Sequence, residues 1–169
     1  MNLARQIVEV GLRLVEAGVT DGVTGNISVR LPDAEAMLIT PTSRDYRLLG
    51  EGDLVQVHLQ SAAVEGRRRP SSEWRFHAAI YNGRADVNAV IHHHSTWAST
   101  VAVSGKTIPV LIDEAADIGE IPTTPYAASA SPELADIVGR QFAGGYNAVL
   151  LANHGAVTAG QTIQQAVFL

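Results

Sequence analysis

Residues 148–152 and 156–158 are two apolar runs with only Asn153-His154-Gly155 between them. Parallel neighbours in a sheet need a crossover of about a dozen residues or more, whereas antiparallel neighbours can be joined by a tight turn. These two runs, read as strands, are therefore committed to antiparallel pairing. Residues 27–31 and 37–40 are placed the same way, with a turn at Pro32-Asp33 between them. Several such short connections exclude a doubly wound parallel sheet.

The other elements interleave with these strands. Leu3, Ile7, Val10, Leu14 and Val15 recur at helical spacing, so the pattern predicts a helix over 3–17, ending near Gly18. Residues 54–59 and 86–93 read as strands. Residues 72–82 read as a helix capped by Ser71 or Ser72, and 95–104 as one that stops at Gly105. Short strands are expected at 109–112 and 121–122. Ser131 caps a helix over 132–143, with Pro132 as its first residue and Gly144-Gly145 as its stop. A last helix opens at Thr162. Helices alternating with strands give an α/β class, with helices packed on a mixed, mostly antiparallel sheet.

Length and composition narrow the function. A chain of 169 residues suits one domain, and a formal net charge of −5 gives no general attraction to nucleic acid or to an anionic membrane. There is no cysteine, so any metal must be held by histidine and carboxylate. The first ten residues carry Arg5 and Glu9 and lack a continuous apolar signal core, and no run has the length to span a bilayer. The expected location is the cytoplasm. The apolar end Val167-Phe168-Leu169 calls for a partner surface or marks a chain shortened at its C-terminus.

Three histidines stand out. His92 and His94 are two apart at the end of a predicted strand, which puts both on one face. His154, from the distant turn, completes a facial set of three imidazoles, the arrangement that holds zinc and leaves a position open. The alternative is three unrelated polar residues, but charged imidazoles repel one another, and clustering needs a reason. His93 points to the opposite face and is read as a non-ligand. His77, four residues after Glu73 on the same helical face, is either a partner behind the metal site or a packing residue, and packing is the favoured reading; His58 is read as an ordinary strand residue. Glu73, at the start of a helix, is either a glutamate favoured by the helix dipole or a general acid/base beside the metal. A zinc hydrolase is one reading of this pattern.

Three small turns rich in donors are the remaining signal. Gly25-Asn26, Thr42-Ser43 and Ser71-Ser72 could converge into an anion pocket that needs no lysine, although capping and turn formation explain each one singly. Arg67-Arg68-Arg69 reads as a solvated turn.

Taken in order, Gly25-Asn26-Ile27-Ser28-Val29-Arg30, Ile39-Thr40-Pro41-Thr42, Pro70-Ser71-Ser72-Glu73-Trp74-Arg75-Phe76-His77, Ile91-His92-His93-His94 and Asn153-His154-Gly155 resemble the class II aldolase/adducin family. The resemblance implies a three-layer α/β/α fold and a fourfold homotetramer. It implies Zn²⁺ on His92, His94 and His154, and Glu73 as catalytic acid/base. It places substrate phosphate at Asn26, Thr42, Ser43, Ser71 and Ser72, with Ser43 where a member of the family carries glycine. The implied reaction is cleavage of a ketose phosphate to dihydroxyacetone phosphate and an aldehyde through a metal-stabilised enediolate. Relatives also include epimerases, dehydratases and the non-catalytic interaction module of adducin; the module is expected to lack the histidines that are kept here. Where a tyrosine from a neighbouring subunit acts in the family, this chain has Asp113, followed by Glu114, as a possible acid/base.

Overall fold

The structure, a computed structural model, describes residues 2–32 and 35–169. Its centre is a seven-stranded sheet in the order β4-β3-β2-β1-β5-β7-β6. The strands are β1 (Asn26–Arg30), β2 (Ala36–Ile39), β3 (Val55–His58), β4 (Val64–Glu65), β5 (Ala89–His93), β6 (Ala148–Leu151) and β7 (Gly155–Gly160). Every neighbouring pair is antiparallel, so the sheet is not mixed. Among the described residues, five α-helices cover it: α1 (Leu3–Glu16), α2 (Trp74–Gly83), α3 (Thr96–Ser104), α4 (Pro132–Ala143) and α5 (Ile163–Phe168).

The three layers follow from period-two alternation along the strands. Val57, Val90, Val149 and Val157 face α2 and α4, where they meet Phe76, Ile80, Leu134, Val138 and Phe142 in one core. Ile27, Val29, Ala89 and Ile91 face the other way, against Ile7, Val10 and Leu14 of α1 and Ile163 and Ala166 of α5. On that second side α3 packs Ala102 over Leu150 and Ala156. The architecture is the α/β/α sandwich expected. The Asn2 side chain caps α1 by accepting from the Ala4 N–H at 3.0 Å, and Ser131 caps α4 by accepting from Leu134 at 3.1 Å.

Two local expectations fail and one element was missed, for identifiable reasons. Residues 109–112 form no strand; Ile108 and Ile121 share only an isolated bridge, and Val110, Leu111 and Ile112 are exposed. Pro109, lacking an N–H, cannot extend that bridge into a ladder. β4 escaped notice because two exposed residues carry no periodic signal. Helix α2 starts at Trp74 rather than Ser72, since the Ser71 hydroxyl accepts from the Glu73 N–H at 3.3 Å in a local turn that delays the helix. The turn at Pro32-Asp33 falls partly outside the described residues.

Two polar side chains of β1 lock the sheet to α2. The Arg30 guanidinium donates to the carbonyls of Tyr81 at 2.7 Å, Arg84 at 2.9 Å and Val87 at 3.0 Å, placing a cation at the C-terminal end of α2. The Ser28 hydroxyl lies 2.8 Å from both His77 Nδ1 and the Tyr81 hydroxyl. His77 is thus a hydrogen-bonded residue and not the packing residue that its position suggested.

His77 also makes the fold acid-sensitive. Burial, with the nearby His92 adding to it, pushes its pKa from the ordinary 6.5 down to about 3. The unfolded chain takes up that proton as pH falls below about 6.5, while the folded chain does not until about 3. His77 therefore costs no stability above that window and makes the folded state progressively less favourable as pH falls through it, by about 1.4 kcal/mol per pH unit. In urea titrations of metal-stripped protein between pH 6 and 4, His77→Gln is expected to flatten the fall in stability by about that slope. Equal slopes for the two proteins would refute a neutral, buried His77.

Candidate metal centre

His92 lies on β5, the middle partner of β1 and β7, and points to the α2 side of the sheet with Val90. His94 follows the strand end and returns to that side, while His93 points away and lines a separate apolar pocket with Trp97. His154 sits in the β6–β7 turn, where Asn153 has a φ of 58° and so turns the chain in the left-handed region. The ring centroids of His92, His94 and His154 are each 4.7 Å apart, an equilateral triangle. One nitrogen from each comes within 4.8 Å of the others, and this group can hold a metal ion.

Two glycines permit this convergence. A Cβ on Gly25 would collide with the His92 carbonyl oxygen, and Gly25 has a φ of +84°. A Cβ on Gly155 would collide with the His93 carbonyl and lie 3.0 Å from the His94 ring and 3.3 Å from the His92 ring. The glycines of the Gly-Asn and His-Gly motifs therefore let flanking chain approach β5 on both sides.

The chemistry of the donors suits a cation. His92 Nδ1 donates to the Ala156 carbonyl at 2.8 Å, so in a neutral ring Nε2 keeps the lone pair that faces the centre. That Nε2 is 2.8 Å from His94 Nε2. Burial, together with His92 and His154, pushes the His94 pKa down to about 4, and His154 is lowered by burial and by His92. Neutral imidazoles with converging lone pairs repel unless a proton or a metal ion lies between them.

Glu73 completes the group. Its Oε2 is 3.3 Å from His92 Nε2 and its Oε1 is 3.4 Å from His154 Nε2. Burial opposes its charge, but His92, His154 and the Asn26 amide outweigh burial and hold the carboxyl well below the usual carboxylate range. Asn26 Nδ2 donates to Oε2 at 2.9 Å and the Ser129 hydroxyl donates to Oε1 at 2.9 Å. Sequence reasoning did not find Ser129, which lies in an irregular segment whose only signal is the small-residue run 127–131 ahead of α4.

The small turns do converge. A polar cavity of about 230 Å³ is lined by Gly25, Asn26, Thr42, Ser43, Ser71, Ser72, Glu73, Ser129, His94 and His154. Asn26 reaches it with its carboxamide already engaged by Glu73 and His77. Ser43 has a φ of 54°, a left-handed conformation that explains why glycine suits this position. Asp113 is exposed in a short 3-10 turn and does not line the cavity, and the Glu114 side chain lies outside the described residues.

Comparison with known proteins identifies the family. The family described as Class II Aldolase and Adducin N-terminal domain matches residues 5–169. An L-fuculose phosphate aldolase of Escherichia coli strain K12 is 37% identical over 169 residues, covering 99% of this chain and 77% of that protein. A 5-deoxy-D-ribulose 1-phosphate aldolase of Bacillus thuringiensis serovar kurstaki is 34% identical over 164 residues, covering 95% of this chain and 76% of that protein. Among solved structures, an L-fuculose 1-phosphate aldolase superposes with a TM-score of 0.90 at 34% identity, covering 97% of this chain and 77% of that one. These relatives are aldehyde-lyases, and with its fold and nearly its whole length matched, this chain belongs to the class II aldolase and adducin family.

Proposed function

We propose that the chain is a zinc-dependent aldolase that splits a ketose 1-phosphate into dihydroxyacetone phosphate and an aldehyde. The observation that carries this reading is a carboxylate within 3.4 Å of two histidines of the three-histidine group, on the wall of a polar cavity that small hydroxyl-bearing turns also line. Three imidazoles without thiolate suit zinc. Bound by His92, His94 and His154, zinc would supply Lewis acidity toward the carbonyl and neighbouring hydroxyl oxygens of the sugar.

The other parts of the reaction fall to the chain itself. In the cleavage, the hydroxyl on the aldehyde side loses its proton, the electron pair of the broken carbon–carbon bond stays on the carbon beside the carbonyl, and that carbon takes up a proton. Glu73, ionised and facing the histidines, is the group placed to exchange the proton at that carbon. Ser71, Ser72, Thr42 and Ser43 offer hydroxyls to the phosphate, and Asn26 shares that wall while holding Glu73. Asp113 can take the proton on the aldehyde side only if a neighbouring subunit brings it over the cavity. A homotetramer fits the exposed Trp97, Leu111 and Ile112, which a monomer leaves in water.

Four sets of measurements test this reading. The purified protein, made without a histidine tag, should carry about one zinc per chain by elemental analysis. His94→Ala should lose it; stoichiometric zinc in that variant would remove His94 from the ligand set. Because His94 stays neutral down to about pH 4, zinc should remain bound at pH 6 and leave as pH falls toward 4, when protons compete for the ligands. Loss already near pH 6 would contradict the lowered pKa. On fuculose 1-phosphate or 5-deoxyribulose 1-phosphate, with release of dihydroxyacetone phosphate as the assay, Glu73→Gln should keep zinc and lower kcat by about 10²–10⁴-fold. Unchanged turnover would end the acid/base assignment. Ser71→Ala combined with Ser72→Ala should weaken binding of phosphorylated ligands roughly ten- to hundredfold and leave unphosphorylated ones nearly unaffected. An equal effect on both would reduce the serines to turn formers.

A further inference from the structure

Beneath the candidate metal centre, two periodicities interlock. Glu73, His77 and Tyr81 are spaced four apart from the N-cap of α2 along one face of the helix, and Asn26 and Ser28 are two apart on the facing side of β1. The rise of four helical residues nearly equals that of two strand residues, so the side chains alternate between the two elements. All five are buried. Contacts run without a gap from Tyr81 to Ser28 at 2.8 Å, from Ser28 to His77 Nδ1 at 2.8 Å, from His77 Nε2 to Asn26 Oδ1 at 2.5 Å, and from Asn26 Nδ2 to Glu73 Oε2 at 2.9 Å.

The end of this path fixes the direction of every bond in it. An ionised carboxylate only accepts, so Asn26 must present its NH₂ to Glu73 and its oxygen to His77. That oxygen needs a donor, and the group facing it is His77 Nε2, which must carry the proton. A neutral ring then has a bare Nδ1, which accepts from the Ser28 hydroxyl, whose oxygen in turn accepts from the Tyr81 hydroxyl. The other tautomer would turn the Asn26 oxygen toward the Glu73 carboxylate and leave buried groups unpaired.

We infer that His77 is a positioning residue: protonated on Nε2, it orients Asn26, and through Asn26 it aims the Glu73 carboxylate at the histidine triangle, in a one-way hydrogen-bond path that starts at Tyr81. The inference deepens the aldolase reading, because it rests on Glu73 as the acid/base. It gives this part of the Pro-Ser-Ser-Glu-Trp-Arg-Phe-His motif a physical role: the glutamate and the histidine one turn later are two ends of one orientation device.

The test joins a spectroscopic and a kinetic measurement on the zinc-loaded full chain. In ¹⁵N spectra of histidine-labelled protein, the His77 ring should show a protonated Nε2 and a bare Nδ1 throughout the neutral range. Removing the donor with His77→Leu should lower kcat roughly 10–100-fold, with zinc content and KM near those of the parent. His77→Gln, whose side-chain amide can donate where Nε2–H stood, should restore most of the loss. A ring protonated on Nδ1 would overturn the inference, as would a His77→Leu protein with parental kcat. If the parent cleaves no ketose phosphate, the aldolase reading falls, and the tautomer seen in the parent spectrum still decides the path. Should His77→Leu not fold, the spectrum and His77→Gln decide it: a low kcat in the glutamine variant with a correctly folded, zinc-loaded chain would count against it.

Discussion

Close pairing of β5 with both of its neighbours is the constraint on which the rest depends. His92 pairs with Asn26 on one side and with Val157 on the other, so three strands meet at one residue. Backbone hydrogen bonds set the register, and register decides the face on which every side chain emerges. A slip by one residue would send His92 into the α1 side and bring His93 to the α2 side. The hydrogen bond from His92 Nδ1 to the Ala156 carbonyl adds a side-chain link to the same ladder. Of the donor triangle, His92 is held within a strand, and His94 and His154 lie just beyond strand ends.

Much of this was legible because short connections and period-two alternation leave few options. The antiparallel sheet and the His92–His94 pair on one face follow from spacing, whereas the convergence of the hydroxyl turns was left open by the sequence and is seen only in the cavity they share. The order of residues could not reveal contacts whose partners lie far apart in sequence. His77 looked like a packing residue because its four-residue offset from Glu73 says which face it occupies, not that Asn26 and Ser28 wait opposite. Ser129 was invisible because it belongs to no periodic element. Residues 109–112 misled in the other direction: an apolar run resembles a buried strand, and only the tertiary structure shows that no sheet edge receives it.

Between β1 and α2 the buried polar groups are tied to each other. Ser28, His77 and Tyr81 satisfy one another, and Arg30 finds its partners among backbone carbonyls. Such a set disfavours alternative packings, since shifting β1 against α2 by one step would break several buried hydrogen bonds at once. Helix α2 is therefore held to the sheet at both ends, by Glu73 and Asn26 at its start and by Arg30 at its finish.

The glycine contacts divide the site into parts with different freedom to change. Around His92, Gly25 and Gly155 abut main chain, so no side chain there can be accommodated by repacking neighbours. Thr42, Ser43, Ser72 and Ser129 instead lie on turns or irregular segments that face open cavity. Evolution can rework the second group residue by residue while the first stays frozen. A lineage built on this scaffold would diversify in what it grips and keep what it grips it with.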